Sequence, residues 1–171
     1  MIAAVDVQYA QSRAGVGCIL FDQWHRCAPN QEYELQIDIQ QTYIAGEFYK
    51  RELPCILAIL DNLDVQLDCV VIDGYVWLGD QQPGLGEHLF RALEGGVPVI
   101  GVAKNSFAGN EVAVPLFRGT SRSPLFITAS GLPIELAVAS IAGMRGAFRI
   151  PTLLKCVDAL CRRAAKSLSA S

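Results

Sequence analysis

No apolar run in this sequence is long enough to cross a bilayer. Half of its 171 residues are hydrophobic (51%), yet no uninterrupted stretch approaches the roughly 18 to 20 residues that a helical span needs. A basic leader is also missing: Met1-Ile2-Ala3-Ala4-Val5-Asp6 reads as a first strand and not as a signal peptide. The six cysteines form no C-x-x-C pair, and Cys18, Cys55 and Cys69 lie in apolar stretches, so they read as reduced core thiols. There is no Walker loop, dinucleotide fingerprint or H-E-x-x-H helix, and no internal repeat, low-complexity tract or linker. The expectation is one soluble, cytoplasmic domain over 1–171, monomeric and without a membrane partner.

What is present is an uneven charge. Residues 1–96 carry five Lys/Arg against fourteen Asp/Glu, and residues 97–171 carry nine against three, so a net charge of -3 hides halves of -9 and +6. Such asymmetry fits a polyanionic partner, although folding can also mix both halves on one surface.

Ile2–Val7 and Gly15–Phe21 read as two strands of a meander, and Glu32–Ile39 alternates apolar and polar residues as a half-buried strand does. Between Glu47 and Leu63 the apolar positions recur at helical spacing. Pro54 fits only within the first turn, so the helix is expected to start close to Glu52. Asp68–Asp73 is a β-branched run ending at an Asp-Gly turn, as in a buried parallel strand. A Gly-rich loop, a helix over Glu87–Leu93 and the strand Val97–Val102 complete a β-α-β unit. Ser123–Thr128 is a further strand, Pro133–Ala142 a helix and Pro151–Ser167 an amphipathic closing helix.

A meander, a helix and then parallel strands alternating with helices is the element order of a ribonuclease-H-like α/β fold: a mixed sheet flanked by helices. A doubly wound sheet is the alternative, disfavoured because the first three strands leave no room for crossover helices of a dozen or more residues.

Asp6 is an acid inside an apolar strand, where an unpaired carboxylate is costly. If its strand pairs with the one ending at Asp73, the two carboxylates meet at the carboxyl edge of the sheet, and their repulsion asks for a cation between them. Glu52, within Lys50-Arg51-Glu52, can add a third oxygen, and three hard oxygen donors suit Mg²⁺ or Mn²⁺. Taken singly, Asp73 could merely cap a turn and Glu52 could be a helix-start acid.

The segments Ala4-Val5-Asp6-Val7, Tyr43-Ile44, Arg51-Glu52-Leu53-Pro54, Val71-Ile72-Asp73-Gly74, Gly101-Val102-Ala103-Lys104 and Ser123-Pro124-Leu125-Phe126-Ile127 stand in the order and spacing of one family. Together they resemble the endonuclease V family across nearly the whole chain. The resemblance implies a metal-dependent endonuclease, an Mg²⁺ hydrolase of DNA repair. It would recognise deaminated adenine (inosine) in nucleic acid, DNA ahead of RNA, and cut the backbone a short distance to its 3′ side. It further implies that Asp6, Glu52 and Asp73 are metal-binding and catalytic carboxylates and that Lys104 is the active-site lysine. Tyr43-Ile44 falls on the family's P-Y-I-P wedge, with both prolines replaced by Thr42 and Ala45. His88 matches the family's A-S-H-F segment as Gly86-Glu87-His88-Leu89, or is an ordinary helix histidine.

The chain also departs from the pattern. Where the family reads D-G-H-G and then H-P-R-R, it has Asp73-Gly74-Tyr75-Val76 and Asp80-Gln81-Gln82-Pro83. Where the family has G-H-R, with its histidine by the metal, Ser130-Gly131-Leu132 stands, and with a first strand read from the outset the family's N-terminal helical extension is not expected. Arg122, with Arg118, Arg145 and Arg149, is a candidate phosphate contact, each with solvated surface as the plainer role. Two other readings compete: a non-catalytic nucleic-acid-binding relic of the same fold, and an active nuclease whose lesion preference has drifted.

Overall fold

The computed structural model describes residues 1–10, 13–38 and 48–166, and Tyr43 and Ile44 of the expected wedge lie outside these described residues. Strands β1 (Ile2–Ala10), β2 (Arg13–Phe21) and β3 (Gln31–Asp38) pair antiparallel in succession. Helix α1 (Phe48–Leu60) leads to β4 (Cys69–Ile72), which lies parallel to β1. A small hairpin, β5 (Trp77–Gly79) and β6 (Gln82–Pro83), precedes helix α2 (Leu85–Ala92), and β7 (Val99–Ala103) then adds parallel to β4. Strands β8 (Val114–Leu116) and β9 (Leu125–Ser130) and helices α3 (Ile134–Gly143) and α4 (Thr152–Lys166) follow. The main sheet runs β3-β2-β1-β4-β7-β9-β8, the mixed α/β arrangement of a ribonuclease-H-like fold.

Residue type explains the layering. Every residue of β4 and β7 is buried, and both strands are apolar throughout because helices cover both faces. At the sheet edge β3 alternates, with Tyr33, Leu35 and Ile37 packed inward and Glu32, Glu34 and Gln36 exposed. On one face Ala3, Val5 and Val7 pack with Cys55, Ile56 and Ile59 of α1 and Leu89 of α2. On the other, Ile2 and Ala4 pack with Ile141 of α3 and Leu153, Val157 and Leu160 of α4. Since strand side chains alternate, Asp6 belongs to the second face, under α4.

Two differences from the expected elements have physical causes. Helix α1 begins by Phe48, so Glu52 lies inside it and Pro54 is interior. Pro54 is on the exposed side, where water can take the place of the missing N–H bond, while burial of Cys55, Ile56, Ile59 and Leu60 holds the helix together. Beyond β7 the sheet stops being parallel: β9 runs antiparallel to both β7 and β8. No helix lies between β7 and β9, and without a crossover the chain re-enters from the edge it left.

Helix α4 lies unusually close to β2. A methyl group at Gly15 would come within 2.3 Å of Ala165 N, and one at Gly17 within 2.8 Å of Cys161 N, so the helix rests on bare strand backbone. Among the described residues, no helix is long and apolar enough to cross a membrane.

Candidate metal centre and its cleft

Strand register brings the acids together. Val5 is level with Ile72 in the parallel β1–β4 ladder, so Asp6 and Asp73, one residue further on, lie side by side at the carboxyl edge. Asp6 Oδ1 accepts the Val7 N–H (2.8 Å), and its Oδ2 accepts the thiol of Cys161 from α4 (3.4 Å). Burial, then repulsion from Asp73, pushes the Asp6 carboxyl up to about 6, against the Val7 N–H, Cys161 and Lys104.

Glu52 reaches the same edge from α1 on the opposite face. It is 6% exposed, and its Oε2 has no hydrogen-bond partner among the described residues. Burial, followed by the charges of Asp6 and Asp73, pushes this carboxyl up to about 8, with Arg51 opposing. A buried oxygen without a partner, facing two more acids, is poorly satisfied without a cation. Three carboxylates are hard donors, so the residues fit Mg²⁺ or Mn²⁺. Among the described residues no three Asp, Glu, His or Cys side chains are yet gathered as a finished metal cage.

A cation of the chain itself lies at this edge. Lys104, one residue past β7, places Nζ on Asp73 Oδ2 and 3.9 Å from Asp158 Oδ1 of α4. Burial works against the charged ammonium, but the hydrogen bond and charge of Asp73, with Asp6 and Asp158 behind them, raise its pKa above the usual lysine value. Arg149 donates to the backbone carbonyl of Lys104 and to that of Pro124 (2.9 Å for the latter), fixing the strand end that carries the lysine.

A cleft of about 440 Å³ opens beside the acids, lined among others by Tyr49, Glu52, Asp73, Tyr75, Gln82 and Phe107. Tyr75 donates its hydroxyl to Asn105 O (2.7 Å) and meets Phe107 edge-on. His88 stacks flat on Tyr49, ring centroids 3.7 Å apart, which sets it at the cleft wall. Burial, with Arg91 second, holds the His88 pKa below its usual value. On the α4 side a pocket of about 20 Å³ lies among Asp6, Asp73 and Lys104, room for about one water-sized group.

The expected arginines divide. Arg122 is exposed on the loop before β9. Arg145 is exposed and donates to His25 O (3.3 Å). Arg118 is not a surface cation: it is 8% exposed and donates to the carbonyls of Met144, Phe148 and Arg149, so its guanidinium is consumed by the protein. The Ser130-Gly131-Leu132 segment is also elsewhere than expected. Ser130 is level with Val99, at the amino end of β7, whereas the acids occupy the carboxyl end. There its hydroxyl donates to buried Glu87 (2.6 Å) and accepts from Trp77 Nε1 (3.0 Å), so a histidine missing from this segment takes nothing from the acid edge.

Two residues escaped the sequence reading, Asp158 and Cys161. Helix α4 reads as a closing amphipathic helix, and these polar groups reach the site only through its close seat on β2. The available signal was that Asp158 is the only acid after Glu135.

The sequence profile of the endonuclease V family matches residues 1–145. An endonuclease V of Streptomyces avermitilis is 31% identical over 153 residues, 78% of this chain and 66% of that protein, so the chain spans just under two thirds of its length. A crystal structure of an endonuclease V from Streptomyces avermitilis superposes with a TM-score of 0.76 at 26% identity, covering 99% of this chain and 82% of the other. The endonuclease V of Ciona intestinalis, solved with a 24mer DNA containing an inosine followed by a ribo-adenosine, shares the fold. Its TM-score is 0.81 at 15% identity, over 98% of this chain and 86% of that one.

Proposed function

Since the chain belongs to the endonuclease V family, we propose that it is a divalent-metal-dependent endonuclease that cuts a nucleic-acid backbone 3′ of a deaminated base, DNA in preference to RNA. The observation that carries this reading is the meeting of three acids at one sheet edge: Asp73 at the end of β4 lies level with Asp6 of β1, and the buried carboxyls of Asp6 and of Glu52 from α1 are pushed up by burial and then by the charge of Asp73. Asp6, Glu52 and Asp73 would hold Mg²⁺ or Mn²⁺, which when bound supplies Lewis-acid activation of water and of the scissile phosphate.

The chain's own residues supply the rest. Lys104, a compact positive charge, neutralises charge on the scissile phosphate, and Asp158 and Arg149 hold it in place from side chain and backbone. Tyr49, Tyr75 and Phe107 give the cleft aromatic walls suited to a base out of its stack. His88, stacked on Tyr49, keeps that wall upright. Tyr43 and Ile44 are assigned to the wedge and Arg122 to a flanking phosphate.

Incubating the protein with inosine-containing and matched adenine-containing strands, with Mg²⁺ or with chelator, tests the proposal. Cleavage confined to the inosine strand with metal is the expected result. Strand binding without any cleavage would favour the non-catalytic relic.

Asp80 and Gln81 form the turn of the β5–β6 hairpin, and Gln82 lines the cleft, where family members carry H-P-R-R. Replacing Asp80 and Gln82 with arginine should tighten duplex binding and steepen the salt dependence. Each new phosphate contact is expected to add about 0.9 to the slope of log affinity against log salt. Unchanged affinity and slope would mean that the hairpin does not touch the backbone.

A further inference from the structure

Among the described residues the two most exposed large apolar side chains are Phe148 (67%) and Phe117 (61%). They stand on neighbouring loops. A methyl group at Gly119 would lie 2.2 Å from Ala147 O and 3.3 Å from Phe148 Cα, and Arg118 donates from one loop to the carbonyl of Phe148 on the other. The same guanidinium bonds Met144 O and Arg149 O, and Arg149 ties the assembly to Lys104 and Pro124. A buried arginine, Arg118, and a half-buried one, Arg149, therefore hold two water-exposed rings on pinned loops, next to the strand end that carries Lys104.

The exposed charge around the rings is mainly positive. Residues 117–157 contain one acid, Glu135, against three exposed cations, Arg122, Arg145 and Lys155. Lys155 Nζ lies 4.3 Å from the Phe148 ring centroid, and Arg122 and Arg145 are exposed on adjacent loops. Rigid rings among cations match a ligand with flat faces and a polyanionic backbone. A second copy of the chain is a poor occupant, because a two-fold contact would set this positive patch against itself.

We propose that Phe117 and Phe148, flanked by Arg122, Arg145 and Lys155, form a stacking platform for unpaired nucleic acid running away from the acid edge. The platform takes its ligand class from the nuclease reading, but it acts on binding and needs no metal. Its failure is therefore separable from failure of that reading.

The test is anisotropy of a fluorescein-labelled oligo(dT) of twenty residues with the full chain in chelator, comparing the parent with Phe117→Ala/Phe148→Ala, Phe117→Trp/Phe148→Trp and, as control, Leu136→Ala. Leu136 is exposed (57%) on α3, outside the platform. The double alanine variant is expected to weaken single-strand binding about tenfold per ring while leaving the salt slope unchanged, since stacking and not phosphate contact is lost. Tryptophan should restore binding, and Leu136→Ala should bind like the parent. Binding by the alanine variant within twofold of the parent overturns the proposal. So does a variant that binds normally but sediments as a smaller species, which would make the patch a protein contact. Loss of binding in a protein that also cuts nothing leaves the platform standing and removes only the nuclease reading.

Discussion

Asp73→Asn is expected to lower metal-dependent cleavage by about a hundredfold to a thousandfold while leaving the metal-free protein at least as stable as its parent. The kinetic loss follows from removing the carboxylate proposed to hold the metal and the partner of Lys104 together, and single electrostatic groups of this kind are worth about 10²–10³ in rate. The stability side follows from what Asp73 does without metal. It raises the pKa of both Asp6 and Glu52, so its charge opposes theirs. Its ion pair with Lys104 joins two groups about one third exposed, and such pairs contribute about 0–1 kcal/mol. Asparagine keeps the shape and removes the repulsion. Cleavage rates with Mn²⁺ and a melting curve in chelator decide it, and undiminished cleavage by a well-folded variant would put the chemistry elsewhere.

Without metal, raising the pH should melt the protein at lower temperature, and Glu52→Gln should remove most of that effect. The Glu52 carboxyl titrates near 4.5 in an unfolded chain and near 8 in the fold, and Asp6 moves from 3.8 to about 6. Between those values the folded state keeps protons that the unfolded chain has released. Stability is therefore greatest at the acid end and falls as pH rises through the window, by up to about 1.4 kcal/mol per pH unit for each group. His88, with its pKa held low, works in the opposite sense below its usual 6.5, and the buried cysteines add to the slope near pH 8.5, so it is best read from pH 6.5 to 7.5, where Glu52 dominates. For a chain of this size that is a fall in Tm of roughly 2–4 °C per kcal/mol. Millimolar Mg²⁺ or Mn²⁺ should flatten the slope by binding the ionised form. An equally steep slope in Glu52→Gln would show that Glu52 does not titrate there.

Much of this arrangement is legible in the chain. The alternation of β3, the apolar runs of β4 and β7 and the lone acid in β1 give the strand order around Asp6 and Asp73, and parallel pairing of β1 with β4 then sets the two acids level. Local rules failed where tertiary packing outweighs them. Pro54 argues for a helix beginning at Glu52, yet four buried apolar residues carry the helix through it. Arg118 looks like a phosphate ligand by composition, and only the loops meeting at Gly119 reveal three carbonyls waiting for it. Cys161 meets Asp6 across 155 residues of chain, a distance over which no periodicity or spacing carries information.

The bare backbone of β2 under α4 makes the acid edge vulnerable to changes that carry no charge. Gly15 and Gly17 act as a spacer of zero thickness: with no side chain between helix and strand, Cys161 reaches Asp6 and Asp158 stands beside Lys104. An alanine at Gly17 would have to displace backbone that already lies 2.8 Å from where its methyl group belongs, and the helix would carry Asp158 and Cys161 away with it. Genetic screens for loss of function should therefore recover small, neutral replacements on β2 alongside changes at the acids. Anyone grafting this acid edge onto another scaffold would need to copy a pair of missing side chains as faithfully as the carboxylates.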